Sequence, residues 1–253
     1  MQEFSYRIHL IGHPGVGKTV FSLAAYTRAR EVLRTLGRNS LGLSCADPQT
    51  KEFVDASTYL MRHSGCYPAS TMRPDSLCFQ LYNLHSNASF WAEKTIHLCN
   101  FTFQDLPIAQ GDPMLSAAGS CIFVDAPALL NKPTYQNRFF TILHTIQLFT
   151  DLLQESKHSF AIVLTKCDLL ELTSECRRAL RNALSPLTSM LERSNQPHRT
   201  FYSSLALGAV PNTESHFLLI GDSASALLWL FDQIHPLNRP PLKVNIPALL
   251  GAL

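Results

Sequence analysis

The stretch GHPGVGKT, Gly12 to Thr19, decides how this chain is read. It follows an apolar run, YRIHLI, and leads into VFSLAAYTRARE, whose spacing predicts a helix. Strand, glycine-rich turn, Lys-Thr and helix, in that order, match the phosphate-binding spacing G-x-x-x-x-G-K-[ST]. The spacing works because backbone N–H groups of such a loop converge on phosphate oxygens. Glycines let the backbone approach closely, and the following helix presents its positive end to the anion. Gly12, His13, Pro14, Gly15, Val16 and Gly17 are the expected cradle, with His13 a variable position inside it. Lys18 is expected to reach the β- and γ-phosphates, and Thr19 to place its hydroxyl on Mg²⁺. The alternative is an accidental glycine turn, and the flanking strand and helix speak against it.

Outward from the loop, residues 5–11 read as a buried strand and 18–36 as a helix. Residues 37–48 are turn-rich. Lys51 to His63 has helical spacing, with Phe53, Tyr59, Leu60 and Met61 on one side. GCYPASTMRPDS is a loop. LCFQLYNL (77–84) and TIHLCNFTF (95–103) alternate as strands do, and a hairpin is the simple reading. QDLPIAQGDPM is another loop, and GSCIFVDA (119–126) a buried strand. Residues 134–156 read as a helix with Phe139, Ile142, Ile146, Leu148 and Leu152 apolar. SFAIVLTKCD is strand then loop, and Thr173 to Arg193 a helix bent or broken near Pro186. RTFYSS is a short strand and SASALLWLFDQI (223–234) the last helix.

Strands alternating with helices predict an α/β fold, a P-loop NTPase three-layer sandwich with a mainly parallel sheet and one antiparallel hairpin. The expected domain spans 1–235, with an insertion between the phosphate loop and the second switch. The proline-rich tail, 236–253, either wraps it or hangs off.

Composition sets bounds. Of 253 residues, 46% are hydrophobic and 16% charged, enough for a substantial core. A net charge of +2 without any charged block gives no argument for nucleic acid. Seven cysteines, an odd number and never spaced C-x-x-C, predict reduced, mostly buried thiols rather than disulfides or zinc. The first residues read as a strand rather than a targeting signal, and no run of 18 apolar residues occurs, so no membrane span is expected and the cytoplasm is the expected compartment.

Thr165-Lys166-Cys167-Asp168, after the strand FAIVL, resembles the [NT]-K-x-D guanine-recognition motif of P-loop GTPases. Guanine presents N1–H and its 2-amino group as paired donors, and one carboxylate accepts both. Adenine has a lone acceptor at N1 and cannot make this pair, so such a site rejects it by roughly 10⁴–10⁵. Asp168 would read the base, Lys166 would lay its stem over the base plane, and Thr165 would hold the two loops together. A strand end with a solvated Lys and Asp is the alternative. Ser203-Ser204-Leu205 stands where that family has a Ser-Ala-x loop, whose backbone N–H groups meet the guanine O6. Ser204 departs from the usual Ala.

Two aspartates compete for the Mg²⁺ shell, Asp105 in DLPI and Asp125 in VDAPA. Asp105 lies 60 positions before Thr165, which resembles the separation in Ras-like domains; Asp125 lies 40 before it. Asp105 is preferred and Asp125 kept as the alternative. A plain helix-capping aspartate would also explain either. Neither opens a clean D-x-x-G: Ile108 stands where the family has Gly, and Ala109 where many members have the residue that orients the attacking water. Gln110, one position on, takes that role in a shifted loop, or hydrolysis is very slow. Thr71, in CYPASTMRPDS, is the best placed threonine to close over Mg²⁺ and γ-phosphate, with a plain loop threonine as the alternative.

Taken together these residues resemble the Ras-like GTPases of the TRAFAC class, and most nearly the bacterial double-GTPase or GTPase-associated-system proteins. The likeness lies in GKTVFSLAAY, in FVDASTYLMRHSG leading into YPAST, in the hairpin before the Asp-x-Pro motif, and in ALLWLFDQI; it covers most of 5–235. It implies a GTP/GDP- and Mg²⁺-dependent regulatory switch acting through an effector or activator protein, in bacterial conflict or signalling systems. A pseudo-GTPase interaction module, and a P-loop ATPase or nucleotide kinase, are the competing readings. For a kinase, Arg177, Arg178 and Arg181 would have to serve a lid; on a helix they read as a solvated face.

Overall fold

The computed structural model describes residues 4–35, 41–69, 74–86, 93–106, 117–153, 157–209, 213 and 215–234. The elements are β1 (Phe4–Ile11), α1 (Lys18–Thr35), β2 (Leu41–Cys45), α2 (Pro48–Ser64), β3 (Ser76–Ser86), β4 (Glu93–Asp105), β5 (Gly119–Asp125), α3 (Ala126–Asn131), α4 (Pro133–Leu153), β6 (Ser159–Thr165), α5 (Ser174–Arg193), β7 (His198–Tyr202), β8 (Leu205–Ala209), β9 (His216–Ile220) and α6 (Ser223–Ile234).

Seven strands form one sheet in the order β2-β3-β4-β1-β5-β6-β7. β4, β1, β5, β6 and β7 run parallel; β3 is antiparallel to β4 and to β2. β5 and β6 are buried almost end to end, as parallel strands covered on both faces must be. Side chains alternate across the sheet. Cys121 and Phe123 of β5 join the core beneath α1, α2 and α6, whereas Ile122 and Val124 join the core beneath α3, α4 and α5. In the first core the rings of Phe101 and Phe231 stack at 3.8 Å and Phe21 meets Phe123 edge-on at 5.1 Å. Truncating a fully buried ring such as Phe123 to Ala would cost about 3–5 kcal/mol. The result is a three-layer α/β sandwich, the expected class.

The direction of the strands positions the site. β1, β4, β5, β6 and β7 all end on the same edge; from β1 the chain passes through α1 to β2 on one side of the sheet, and from β4 it crosses β1 to β5 and continues on the other side. Ligands of open α/β sheets bind at such a switch point. At or just after these ends lie the phosphate loop, Asp105, Asp125, Thr165 and Ser203.

Several local expectations need correction. The turn-rich segment 37–48 contains β2, which pairs with β3; five residues are too few for alternation to register, and Gly42 is there because the Tyr82 ring occupies the space a Cβ would need. The helix expected at 134–156 is preceded by α3, which Asp125 caps by accepting from the Ala128 N–H at 2.9 Å. Lys132 ends α3 in an extended conformation, as a residue before proline prefers. On α4 the buried stripe ends in Phe149 and Leu153, while Leu148 and Leu152 are exposed. On α2 it is Phe53, Val54, Ser57 and Met61, with Tyr59 exposed. α5 runs unbroken through Pro186, because Pro186 and Asn182, whose carbonyl loses its partner, both face solvent. The hairpin β8–β9 was not foreseen.

All seven cysteines are free; Cys99, Cys121 and Cys167 are buried and Cys66 is exposed. Among the described residues no helix is long and apolar enough to cross a membrane. Thr71, Ile108, Ala109, Gln110 and the tail 236–253 lie outside the described residues.

Candidate functional site

β1 ends at Ile11 and the chain turns through Gly12–Gly17 into α1. Gly15 and Gly17 have φ of 75° and 102°, a region that side chains avoid. Lys18 is nearly buried. Its Nζ donates to the Gly12 carbonyl at 2.6 Å and lies 3.6 Å from Asp105 Oδ2. His13 is more than a variable position: its Nε2 sits 2.7 Å from the Arg138 carbonyl of α4. A carbonyl only accepts, so Nε2 carries the proton, and the loop is tied to α4.

The end of β6 reaches the same place. Thr165, 4% exposed, donates from Oγ1 to the Val16 carbonyl at 2.6 Å and lies 3.3 Å from the Val124 carbonyl. Lys166 follows with φ 58° and ψ 30°, left-handed for a residue with a side chain. Such a pose costs about 1–3 kcal/mol and persists only where its surroundings fix it. Here the Cys167 N–H donates to the Ser203 carbonyl at 3.2 Å, and Lys166 Nζ pairs with Asp125 Oδ2 at 2.6 Å. Asp168 stands exposed at the rim.

After β7, the Ser203 N–H donates to the Leu164 carbonyl at 2.7 Å, and its hydroxyl shares a 2.6 Å hydrogen bond with Ser223 at the start of α6. The Gly221 N–H donates to the Ser204 carbonyl at 3.0 Å, so β8–β9 closes back on this loop. Tyr67 completes the wall. Its hydroxyl donates to the Leu205 carbonyl at 2.7 Å, and burial, then the negative charge of Asp168, raise its phenol above the usual tyrosine range.

These groups enclose a cavity of about 520 Å³. His13, Pro14, Gly15, Gly17, Lys18, Thr19, Asp105, Thr165, Lys166, Asp168, Ser203 and Ser204 all line it, so most of the residues singled out in the sequence meet in one place. Gly12 and Val16 lie behind the wall, offering their carbonyls to Lys18 and Thr165. Of the two candidate aspartates, Asp105 sits on the cavity beside Lys18, whereas both oxygens of Asp125 are engaged, by α3 and by Lys166. Thr71 and Gln110 lie outside the described residues. Sequence reasoning missed Tyr67; an aromatic next to a proline in a loop expected to close the site was the available signal.

Among the described residues no three His, Cys, Asp or Glu side chains converge as a metal cage. Thr19 and Asp105 offer hard oxygen atoms, which suits Mg²⁺, an ion that takes its remaining ligands from phosphate and water.

No protein-family model matches the sequence, and no curated protein matches it. Among solved structures, the chain is similar to the apo form of translation elongation factor SelB from Methanococcus maripaludis, at 15% identity and a TM-score of 0.37 over 80% of this chain and 30% of that one. It is also similar to the ADP-ribosylation factor-like GTP-binding protein, small COPII coat GTPase SAR1, of Encephalitozoon cuniculi in complex with GDP, at 14% identity and a TM-score of 0.38 over 92% of this chain and 81% of that one. The chain thus spans under a third of the SelB length. Likenesses this distant assign no function to this chain.

Proposed function

We propose that this protein is a GTP-binding regulatory switch with Mg²⁺-dependent, slow GTP hydrolysis, acting through a partner protein that reads its loops. The observation that carries the reading is the convergence of the phosphate loop with Thr165-Lys166-x-Asp168 and Ser203-Ser204 on one cavity. Its volume falls within the ~300–1,000 Å³ of small-molecule sites.

In this reading the N–H groups of residues 13–19 cradle the phosphates, and Lys18 turns from the Gly12 carbonyl to the β- and γ-oxygens. Thr19 and Asp105 would hold Mg²⁺, and Thr71 would close over it. Bound Mg²⁺ neutralises charge on the β- and γ-phosphates. Asp168 accepts from guanine N1–H and the 2-amino group, Lys166 flanks the base plane, and backbone N–H groups at Ser203 and Ser204 donate to O6. Water attacks the γ-phosphorus in line and the bond to the β–γ bridging oxygen breaks, leaving GDP and phosphate. Gln110 orients that water. The γ-phosphate orders loops 65–76 and 105–116, and the partner reads that order.

A second reading, a pseudo-GTPase interaction module, is favoured by one observation: Ile108 and Ala109 replace the glycine and the water-orienting residue. The experiment that tests both is titration of the purified chain with GTP, GDP and ATP in Mg²⁺ while phosphate release is followed. Tight guanine binding with release at or below about 10⁻² s⁻¹ supports the switch. Guanine binding without release supports the module. Preference for ATP, or no nucleotide binding, overturns the guanine reading.

A further inference from the structure

Asp125 closes β5 directly beside Thr165, its register partner at the end of β6. Lys166 is the next residue, so the two side chains leave neighbouring strand ends. Asp125 is held from three directions. Its N–H donates to the buried Tyr135 hydroxyl of α4 at 2.9 Å. Oδ1 accepts from the Ala128 N–H at 2.9 Å. Oδ2 meets Lys166 Nζ at 2.6 Å, with side-chain exposures of 15% and 38% for Asp125 and Lys166. The carboxylate is therefore fixed before it meets the lysine, and the pair is sheltered enough to matter more than a surface ion pair does.

The lysine needs such an anchor. Its left-handed backbone is a pose that L residues avoid, and it sets the direction in which the side chain departs. The hydrogen bond from the Leu169 N–H to the Lys166 carbonyl, at 3.0 Å, and that from the Cys167 N–H to Ser203 fix the backbone around it. The four-carbon stem stays free unless its ammonium is bound at the far end. Asp125 supplies that end.

We infer that Asp125 is a positioning residue for nucleobase binding: it anchors Lys166 Nζ so that the lysine stem lies along the base that Asp168 reads, and it thereby sets how long a purine nucleotide stays bound. This rests on the reading of the cavity as a guanine site. It gives Asp125 a role other than the metal shell considered from the sequence, and it makes α4, through Tyr135, a support of the base site.

The test is the release rate of N-methylanthraniloyl-GDP from the full chain carrying Asp125→Asn, Lys166→Met, or both. Asn caps a helix as well as Asp does, so α3 is retained while the charge facing Lys166 is lost. Asp125→Ser, which also caps, serves if the first variant does not fold. Expected is a rise in release of about tenfold for Asp125→Asn, a similar rise for Lys166→Met, and a double variant no faster than Lys166→Met alone. A purely structural role would add its effect whether or not the lysine is present. Unchanged release in Asp125→Asn, effects that multiply in the double variant, or an effect that disappears when Mg²⁺ is chelated would each overturn the inference and leave the guanine reading standing. Failure of the wild-type chain to take up the fluorescent GDP would instead overturn both.

Discussion

The hydroxyl of Thr165 donates to the carbonyl of Val16 at 2.6 Å, across 149 positions of chain. This bond joins the turn that follows β1 to the turn that follows β6. It ties the turn expected to cradle phosphate to the turn expected to read a base, and the tie is sheltered, because Thr165 is buried and Gly17 packs against it, its position for a Cβ lying 3.5 Å from Thr165 Cβ. Thr165→Val keeps the shape and removes the donor inside the protein. The expected cost is about 1–3 kcal/mol in urea unfolding, together with weaker guanine binding, and Thr165→Ser should restore both. Equal stability of all three proteins would mean that the bond contributes nothing.

Asp168 tests base selection cleanly, since it is exposed and its substitution should leave folding alone. Asp168→Asn replaces one acceptor oxygen with a donor facing guanine's donors. GTP binding should fall by at least about a hundredfold, binding of xanthine nucleotides should rise, and the melting temperature should not move. Unchanged selectivity in competition titrations would remove Asp168 from the base site.

The parts of this molecule that were legible in its sequence are those with a local signature. The phosphate loop has fixed spacing, β5 and β6 are continuous apolar runs, and α1 and α6 carry apolar residues at helical spacing. What was missed depends on tertiary contact. β2 has five residues and becomes a strand only by pairing with β3. Leu148 and Leu152 share a stripe with Phe140 that the core does not cover, and no pattern within α4 says which of two adjacent stripes faces inward. The Tyr67–Leu205 and Asp125–Lys166 contacts join residues 138 and 41 positions apart, and only the tertiary fold puts them together. The α3 helix is a different case. Asp-Ala-Pro carries a capping residue with proline in the first turn, a signal that was present; a capping role for Asp125 was weighed, but no helix was expected before residue 134.

Stability should depend on pH through two buried histidines that do not line the cavity. His9 of β1 and His158 before β6 are 1% and 2% exposed. His158 Nε2 lies 2.8 Å from the Ser120 hydroxyl, and among the described residues His9 Nδ1 has no hydrogen-bond partner. Burial, then the charge of Arg7, lowers His9 to about 4; burial, then His9, lowers His158 to about 3. Both folded values lie below the unfolded one, so below about pH 6.5 the unfolded chain takes up protons that the folded protein refuses. The contribution is fully present above that pH and is lost as pH falls towards 4, at up to about 1.4 kcal/mol per pH unit for each histidine. Urea midpoints at pH 7, 6 and 5 measure the slope, and His9→Leu should remove one histidine's share of it. An unchanged slope would show that His9 is not held neutral.

If the residue at 108 limits turnover, Ile108→Gly should speed it. Glycine restores the freedom of φ and the clearance that a β-branched side chain denies a loop N–H approaching the γ-phosphate. An increase of about tenfold or more in single-turnover phosphate release, with GTP affinity unchanged, is the expected result. Equal rates would move the cause of slow turnover to Ala109, and adding Ala109→Gln to the same background would then test that position.

Tyr67 ties the segment after α2 to the start of β8 through its bond to the Leu205 carbonyl, and Gly65 beside it packs against the His216 ring of β9. The loop expected to respond to the γ-phosphate is thus fastened to the loop expected to hold the base. Tyr67→Phe keeps the ring and cuts the tie. It should change global stability by no more than about 1.5 kcal/mol, yet accelerate release of bound GDP several-fold, because the wall of the cavity opens more easily. The raised phenol pKa adds a second readout: below its folded pKa the hydroxyl keeps its proton and remains a donor, so the gap between wild type and Tyr67→Phe should stay constant from pH 6 to about 9. A gap that closes within that range would mean that the phenol ionises earlier and that the Leu205 bond is not what holds the wall.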